Sequence, residues 1–339
     1  MDAPGTGTGS GSVVVGVDVG GTKCLAVALA GTRVVREDRV ATPHGGEAQL
    51  DTIAALALAV AGDRPLAALG IGMPGLVDRD GVLRFAPNLP GVTGLPVRDE
   101  LVRRLGVPVH VDNDATCAAW AERAMGAAAG LDDVVLVALG TGIGGGVIVG
   151  GRLARGANGF AGEIGHMVVD RDGPACPCGQ RGCWERYASG SGLGWLARVA
   201  AAGGRASAVL ALAGGDIDAI HGEHVAVAAA AGDQEARAIV AELGWWVGLG
   251  LANLANVLDP EAFVIGGGLI EMGDMLLDPV RAAFLDLLQG RAWRPPIPIV
   301  AAALGPRAGA IGAGCLGAEL VAANPPNQLR EKSASRPLK

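Results

Sequence analysis

The sequence predicts an α/β fold made of two similar halves, and three observations carry that expectation. The first is a β-branched run, Val13 to Val17, that leads into Asp18-Val-Gly-Gly-Thr22-Lys23 and then a second apolar run, Leu25 to Leu29. A turn at Ala30-Gly31 and a third run, Arg33-Val34-Val35, complete a strand, glycine turn, strand, hairpin, strand pattern. The second is its recurrence 120 residues on: Val134 to Val137, Leu139-Gly140-Thr141-Gly142, Gly146 to Val149, then a turn at Gly150-Gly151. Val14, Val15, Val17, Gly20, Val27 and Gly31 recur as identical residues at that offset with no gap, which reads as an internal duplication. The third is the alternation of short apolar runs with Ala/Leu helical patterns through the rest of the chain. Two such halves suggest a cleft with a phosphate loop from each side, because consecutive backbone N–H groups in glycine turns form a nest for phosphate oxygens.

Bulk composition narrows the function classes. A chain of 339 residues suggests two domains, and with half its residues hydrophobic it can bury a large core. A net charge of −7 leaves no basic face for nucleic acid, so no nucleic-acid partner is expected. The start, MDAPGTGTGSGS, lacks the charged and apolar regions of an export signal. The longest uncharged apolar run, Leu243 to Leu258, contains two asparagines and is shorter than a membrane span requires. A cytoplasmic protein with no membrane partner is the expectation.

Taken in order, Ile53 to Ala61 reads as an Ala/Leu helix, and Ala67 to Gly72 as a strand entering Met73-Pro74-Gly75. Phe85 to Gly94 is a loop, rich in prolines and turn formers, in which Asn88 either faces a ligand or holds a turn. Val107 to Val111 is a strand ending in Asp112-Asn113-Asp114, and ATCAAWAERAMG after it is helical. A carboxylate at a strand end and helix start lies at the mouth of an α/β sheet. Asp and Asn also cap helices, but three capping residues in succession exceed what one cap needs, leaving one for chemistry. Ser189 to Gly204 and Val225 to Gly232 read as helices, with an Ala/Gly-rich stretch between them that has no clear pattern. A long helix from Asp233 towards Leu258 carries Trp245-Trp246 as core or subunit contacts. Glu261 to Ile265 is a strand, and Gly266-Gly267-Gly268 at its end would let a flat group such as a base and ribose lie against the backbone. A helix from Met272 to Leu288, a Pro-rich strand to Val300 and an Ala/Gly helix, Ala308 to Ala322, complete the chain.

The stretch GEIGHMVVDRDGPACPCGQRGCWE, 162–185, holds three of the six cysteines and one of five histidines. His166, Cys176, Cys178 and Cys183 make a closed tetrahedral set for structural zinc. Gly179 and Gly182 suit the tight turns of such a knuckle. A disulfide with a spare thiol would want an even cysteine framework and an export signal. Cysteines that only fill space rarely cluster amid Gly, Pro and Arg. Two acids, Glu163 and Glu185, flank the knuckle with no role in metal binding.

DVGGTK at 18–23, GMPGLVD at 72–78, DNDAT at 112–116, LGTGIGGG at 139–146 and the knuckle together closely resemble the ROK family of repressors and sugar kinases, from about Val13 to Ala322. Within it the chain looks most like the bacterial ATP-dependent glucokinases. The resemblance implies the actin-like ATPase (ribonuclease H-like) fold, with two α/β domains around a cleft. The small domain would be 13–114 plus a returning helix at 305–322; the large domain would be 115–304 with the knuckle at 166–183; residues 1–12 and 323–339 would be disordered. It implies transfer of the γ-phosphoryl group of ATP to glucose with Mg²⁺, and a homodimer or homotetramer. Asp114 would be the general base. Asn113, Glu163, His166, Glu185, Gly75 and Asn88 would line the sugar, His166 giving one ring nitrogen to zinc and the other to the sugar. Asp18, Gly20, Gly21, Thr22 and Lys23, with Gly140, Thr141, Gly142, Gly144 and Gly145, would hold phosphates and magnesium, and Gly266 and Gly267 the adenosine. The chain departs from the family pattern at Asp112, Thr116 and Val92, which bears on the choice of sugar. Other hexoses (N-acetylmannosamine, N-acetylglucosamine, fructose, allose) and a sugar-sensing regulator are the alternatives; family repressors add an N-terminal helix-turn-helix, for which no room is expected before Val13.

Overall fold

The computed structural model describes residues 11–323. The expected disordered ends therefore lie outside the described residues, apart from Gly11, Ser12 and Ala323, the last of which closes a helix. The chain forms two compact units, 11–129 with 155–161 and 306–323, and 130–154 with 162–305.

The first unit is a five-stranded sheet in the order β3-β2-β1-β4-β7, from β1 (Val13–Val19), β2 (Lys23–Ala30), β3 (Arg33–Ala41), β4 (Leu66–Met73) and β7 (Val109–Asn113). β1, β2 and β3 are antiparallel, whereas β4 and β7 run parallel to β1. The second unit repeats this order as β10-β9-β8-β11-β12, from β8 (Val134–Leu139), β9 (Ile143–Val149), β10 (Arg152–Leu153), β11 (Ala262–Gly266) and β12 (Ile299–Ala301). Its pairing senses are the same, so the duplication read from the sequence is a duplication of topology.

The gapless register is corrected by the strand pairing. In the first turn Val19 pairs with Cys24, and in the second Leu139 pairs with Ile143, so 20–23 is matched by only 140–142. Equivalent hydrogen bonds close the two turns, Gly20 N–H to Lys23 C=O at 2.9 Å and Gly140 N–H to Gly142 C=O at 3.0 Å. The offset is thus 120 before the turn and 119 after it. Gly31 corresponds to Gly150, both with positive φ (63° and 55°), and its identity with Gly151 is a coincidence of a glycine-rich chain.

Helices fill in around these sheets. In the first unit, α1 (Gly46–Ala61) starts seven residues before the expected Ile53 and buries Leu50, Ile53, Leu56 and Val60 on its sheet. A short hairpin of β5 (Leu76–Val77) and β6 (Leu83–Phe85) precedes α2 (Val97–Leu105), which the sequence reading did not anticipate. Its nine residues are mostly charged and bury only Val97 and Leu101, so apolar periodicity is nearly absent, although Asp99 and Glu100 open it and Arg103 and Arg104 close it as the helix dipole favours. The domain boundary expected at 114/115 falls at 129/130. The reason is that α3 (Asp114–Met125) packs on the returning helix α10 (Ala308–Ala323), which itself lies on β1 and β4.

In the second unit, α4 (Glu185–Ala188), α5 (Gly190–Ala202), α6 (Ser207–Leu212) and α7 (Gly222–Ala230) follow the knuckle, α6 occupying the stretch without a clear pattern. α8 (Gln234–Leu258), capped by Asp233 accepting from Ala236 N–H, is long and apolar enough to cross a membrane by composition. It is instead the central core helix, with Leu243, Val247 and Leu251 fully buried and α9 (Asp274–Leu287) packed along it. The Pro-rich strand reduces to the three residues of β12. Trp246 stacks on Tyr187 with ring centroids 4.1 Å apart, and Trp245 remains partly exposed.

Candidate active site and metal centre

Asp18 lies one residue before the end of β1, beside the first glycine turn. Three elements converge on it. Gly72 of β4 is so close that a Cβ there would stand 3.2 Å from Asp114 Cα and 3.6 Å from Asp18 Oδ1, and a Cβ on Gly309 of α10 would stand 2.8 Å from Asp18 Cγ. Burial, and then the neighbouring Asp114 carboxylate, push the Asp18 carboxyl up to about 7, with Lys23 pulling the other way. Gly21, Thr22 and Lys23 are exposed, and a Cβ on Gly21 would lie 3.2 Å from the Asn88 carbonyl oxygen, so Asn88 sits over the turn.

The three residues at the end of β7 have separate tasks. Asn113 is the N-cap of α3: its Oδ1 accepts from Thr116 N–H at 3.0 Å, while its Nδ2 donates to Gly75 C=O at 3.2 Å. Gly75 has φ 89°, a conformation that glycine adopts without strain. Asp112 is buried, and its Oδ2 accepts from Arg155 Nε at 2.7 Å and lies 3.3 Å from His110 Nε2. Burial raises its pKa, but the His110 and Arg155 partners outweigh that and hold it below the usual carboxylate range. Asp114, half-buried in the first turn of α3, is the acid left at the mouth of the sheet; its Oδ1 accepts from Ala115 N–H at 2.8 Å. The sequence reading did not foresee Arg155, His110 or Gly309 here. They lie far from the DNDAT motif in sequence, and no spacing rule links them to it.

In the second unit the shorter glycine turn is tied to the start of α5, Gly190 N–H donating to Gly140 C=O at 2.8 Å and Ser191 N–H to Thr141 C=O at 3.3 Å. Thr141 is exposed and Gly142 half-exposed. Gly144 and Gly145 lie in β9, past the turn, and Gly145 is buried where a Cβ would stand 2.5 Å from Gly162 C=O. Close packing accounts for glycine there. Gly266 is buried at the end of β11; Gly267, exposed with φ 83°, packs its backbone on Leu139.

The knuckle brings together the four residues expected of it. The ligand atoms of His166, Cys176, Cys178 and Cys183 all lie within 4.8 Å of one another. Cys178 Sγ is 3.6 Å from Cys183 Sγ, and Cys176 Sγ is 3.8 Å from His166 Nδ1. Cys176 N–H to Gln180 C=O at 2.8 Å and Gly179 N–H to Cys176 C=O at 3.0 Å make the turn, with Gly179 at φ 94° and Gly182 at φ 65°. Three soft thiol donors and one imidazole, turned towards a common point, fit a closed tetrahedral zinc site and leave no fourth position for water. Burial raises the Cys178 thiol, but the Gln180 N–H and its neighbouring thiols more than offset this and lower its pKa.

The two flanking acids face this set. His166 turns Nδ1 to the thiols and presents Nε2 at 3.7 Å from Glu163 Oε2. Burial pushes the Glu163 carboxyl up, aided by Glu185 and opposed by His166. Glu185 spans two features: Oε1 is 3.1 Å from Cys176 Sγ, and Oε2 accepts from Ile143 N–H at 3.4 Å and crowds Gly142 of the glycine turn.

Twin sheets of this order, each opening on a glycine turn, with acids at the strand ends of one and a cysteine-bearing loop in the other, define the actin-like ATPase fold. The chain belongs to the ROK family, whose sequence pattern matches residues 14–319. It is 42% identical over 311 residues to a glucokinase of Streptomyces coelicolor, covering 91% of this chain and 98% of that one. Among solved structures it is similar to a ROK family glucokinase from Streptomyces griseus in complex with glucose and AMPPNP, with TM-score 0.80 and 43% identity over 91% of this chain and 100% of that chain. It is also similar to a ROK hexokinase from Thermus thermophilus, with TM-score 0.76 and 36% identity over 91% and 99% of the two chains.

Proposed function

We propose that this chain is an ATP-dependent glucokinase, with Asp114 as the general base. The observation that carries the reading is the placement of the Asp114 carboxylate at the start of α3, beside Asp18 and the first glycine turn. Asp114 accepts the proton of the glucose 6-hydroxyl as that oxygen bonds to the γ-phosphorus; the bond from phosphorus to the β,γ-bridging oxygen breaks, and ADP leaves. Such transfers depend mainly on positioning and charge neutralisation, which suits a weak base. Glu163, Glu185, the outward Nε2 of His166 and the remaining donor of Asn113 bind the other hydroxyls, with Gly75 and Asn88 shaping the wall. The turns at 18–23 and 140–142 offer N–H groups to phosphate, and Gly266-Gly267 offers a flat backbone to adenosine.

Asp18 and Asp114 form a hard-oxygen pair that fits magnesium, and Asp18 is the residue that would hold it, through water or directly. Bound magnesium supplies neutralisation of the phosphate charge. His166, Cys176, Cys178 and Cys183 would hold zinc, which supplies a cross-link fixing the backbone that presents Glu163 and Glu185. The same reading makes the protein a cytoplasmic enzyme that assembles as a homodimer or homotetramer.

The test is ADP release with ATP and each of glucose, fructose, allose, N-acetylglucosamine and N-acetylmannosamine. Glucose is expected to give the highest kcat/KM, and preference for another hexose replaces the substrate assigned here. Asp114→Asn is expected to lose about 10²–10⁴ in kcat while still binding glucose, the range for loss of a general base. Turnover near wild type would remove Asp114 from that role.

A further inference from the structure

Residues 155–161 follow β10 of the second unit's sheet but pack with the first unit. The segment closes on itself through Ala161 N–H to Arg155 C=O at 3.2 Å. It is clamped at three points. Arg155 Nε donates to Asp112 Oδ2 at 2.7 Å, Arg79 Nε donates to Gly156 C=O at 3.0 Å, and Gly159 lies so close to β5 that a Cβ would stand 2.7 Å from Val77 C=O. The other oxygen of Asp112, Oδ1, accepts the backbone N–H of Asn113 at 3.0 Å. One buried carboxylate therefore joins the Arg155 guanidinium to the peptide that caps α3, immediately before Asp114. The segment's other end leads directly to Gly162 and Glu163. His110 Nε2 stands 3.3 Å from the same Asp112 oxygen, and burial raises the Glu319 carboxyl against the opposing charges of His110 and Arg155.

We propose that Arg155 is a positioning residue for sugar binding. Through Asp112 it sets the strand end that carries Asn113 and Asp114. The proposal rests on the kinase reading above. Neither glycine turn is part of this chain of contacts, so Arg155 acts on the sugar and not on the nucleotide. A bond that only stabilised the unit would lower thermal stability without separating the two substrates.

The measurement is steady-state kinetics of wild type, Arg155→Met and Arg155→Lys, with glucose and ATP varied separately and the thermal midpoint recorded for each. Arg155→Met is expected to raise the glucose KM about tenfold or more, since small misplacements of binding groups have large effects, while the ATP KM stays within about twofold. Arg155→Lys is expected to recover part of the loss, because it restores the charge but not the planar fork. Asp112→Asn added to Arg155→Met is expected to change the glucose KM little further, as for two members of one contact. An unchanged glucose KM in Arg155→Met, or equal rises in both KM values, overturns the proposal while leaving the kinase reading intact. A wild-type protein that turns over no sugar overturns both. Should Arg155→Met be insoluble, Arg155→Lys gives the same readout against wild type.

Discussion

Asp18 holds its carboxyl group among backbone from three elements and next to a second acid, which opposes ionisation. In the folded protein it titrates at about 7, against an ordinary value of 3.8. Between those values the folded chain keeps a proton that the unfolded chain has released, so stability falls as pH rises through this window and levels off above about 7. Asp18→Asn removes the burden. Without added magnesium, its thermal midpoint is expected to exceed that of wild type clearly at pH 8 and by much less at pH 5, with activity lost at both. A difference independent of pH would mean that Asp18 ionises normally. Such a gain in stability with a loss of function is what a strained functional group predicts. The motif at 18–23 was legible in the sequence, but the strain was not. It arises from Gly72 and Gly309, whose approach depends on how β4 and α10 pack. Asp112 is a parallel case: the run of three polar residues was visible, whereas the division into ion pair, cap and half-buried acid required Arg155.

Among the elements, the knuckle was the most legible, because metal ligation fixes residue type and spacing together and leaves a local signature. Its turn hydrogen bonds alone join few residues and bury little apolar surface, so the site depends on its metal to hold shape. Cys178→Ser is expected to lower bound zinc well below one equivalent by elemental analysis and to raise the glucose KM, since Glu163 and Glu185 would lose their backing. Full activity in a zinc-free protein would detach the knuckle from sugar binding. Other elements were read poorly for identifiable reasons. α2 buries only two side chains and so has almost no apolar period, and the first turns of α1 carry little helical pattern because Gly46 to Thr52 contains few apolar residues. The long core helix α8 was clear throughout, as sustained apolar character over 25 residues leaves few alternatives.

At the scale of the whole molecule, the first unit is closed by a helix that arrives from the far end of the chain. α10 crosses the sheet on glycine: a Cβ on Gly16 of β1 would overlap Ala310 C=O, one on Gly70 of β4 would overlap Ala313 C=O, and one on Gly312 would overlap the Cys117 carbonyl of α3. Backbone meets backbone at three places distant in sequence. Gly70→Val is expected to destabilise the protein by at least about 1–3 kcal/mol in urea unfolding, the usual scale for overpacking, or to leave it insoluble. A variant as stable as wild type would show that the helix can lift without penalty. The sequence showed the helix and its small residues but not their partners, since a glycine's reason lies in what approaches it.

The unequal glycine turns carry a historical meaning. Counting from Gly20 and Gly140, the residue of the second half that stands where Asp18 stands is Ala138. The first copy carries the acid and, at Lys23, a lysine after it. The second copy has neither, its turn is one residue shorter, and more than a hundred residues, with the cysteine loop and five helices, lie between β10 and β11. The two copies are therefore unequal in what they carry: the first has Asp18 and Asp114 at its strand ends, and the second has the cysteine loop. A change of sugar within this lineage is expected to touch both copies, since Val92, Asp112 and Thr116 lie in the first and Glu163 and Glu185 in the second.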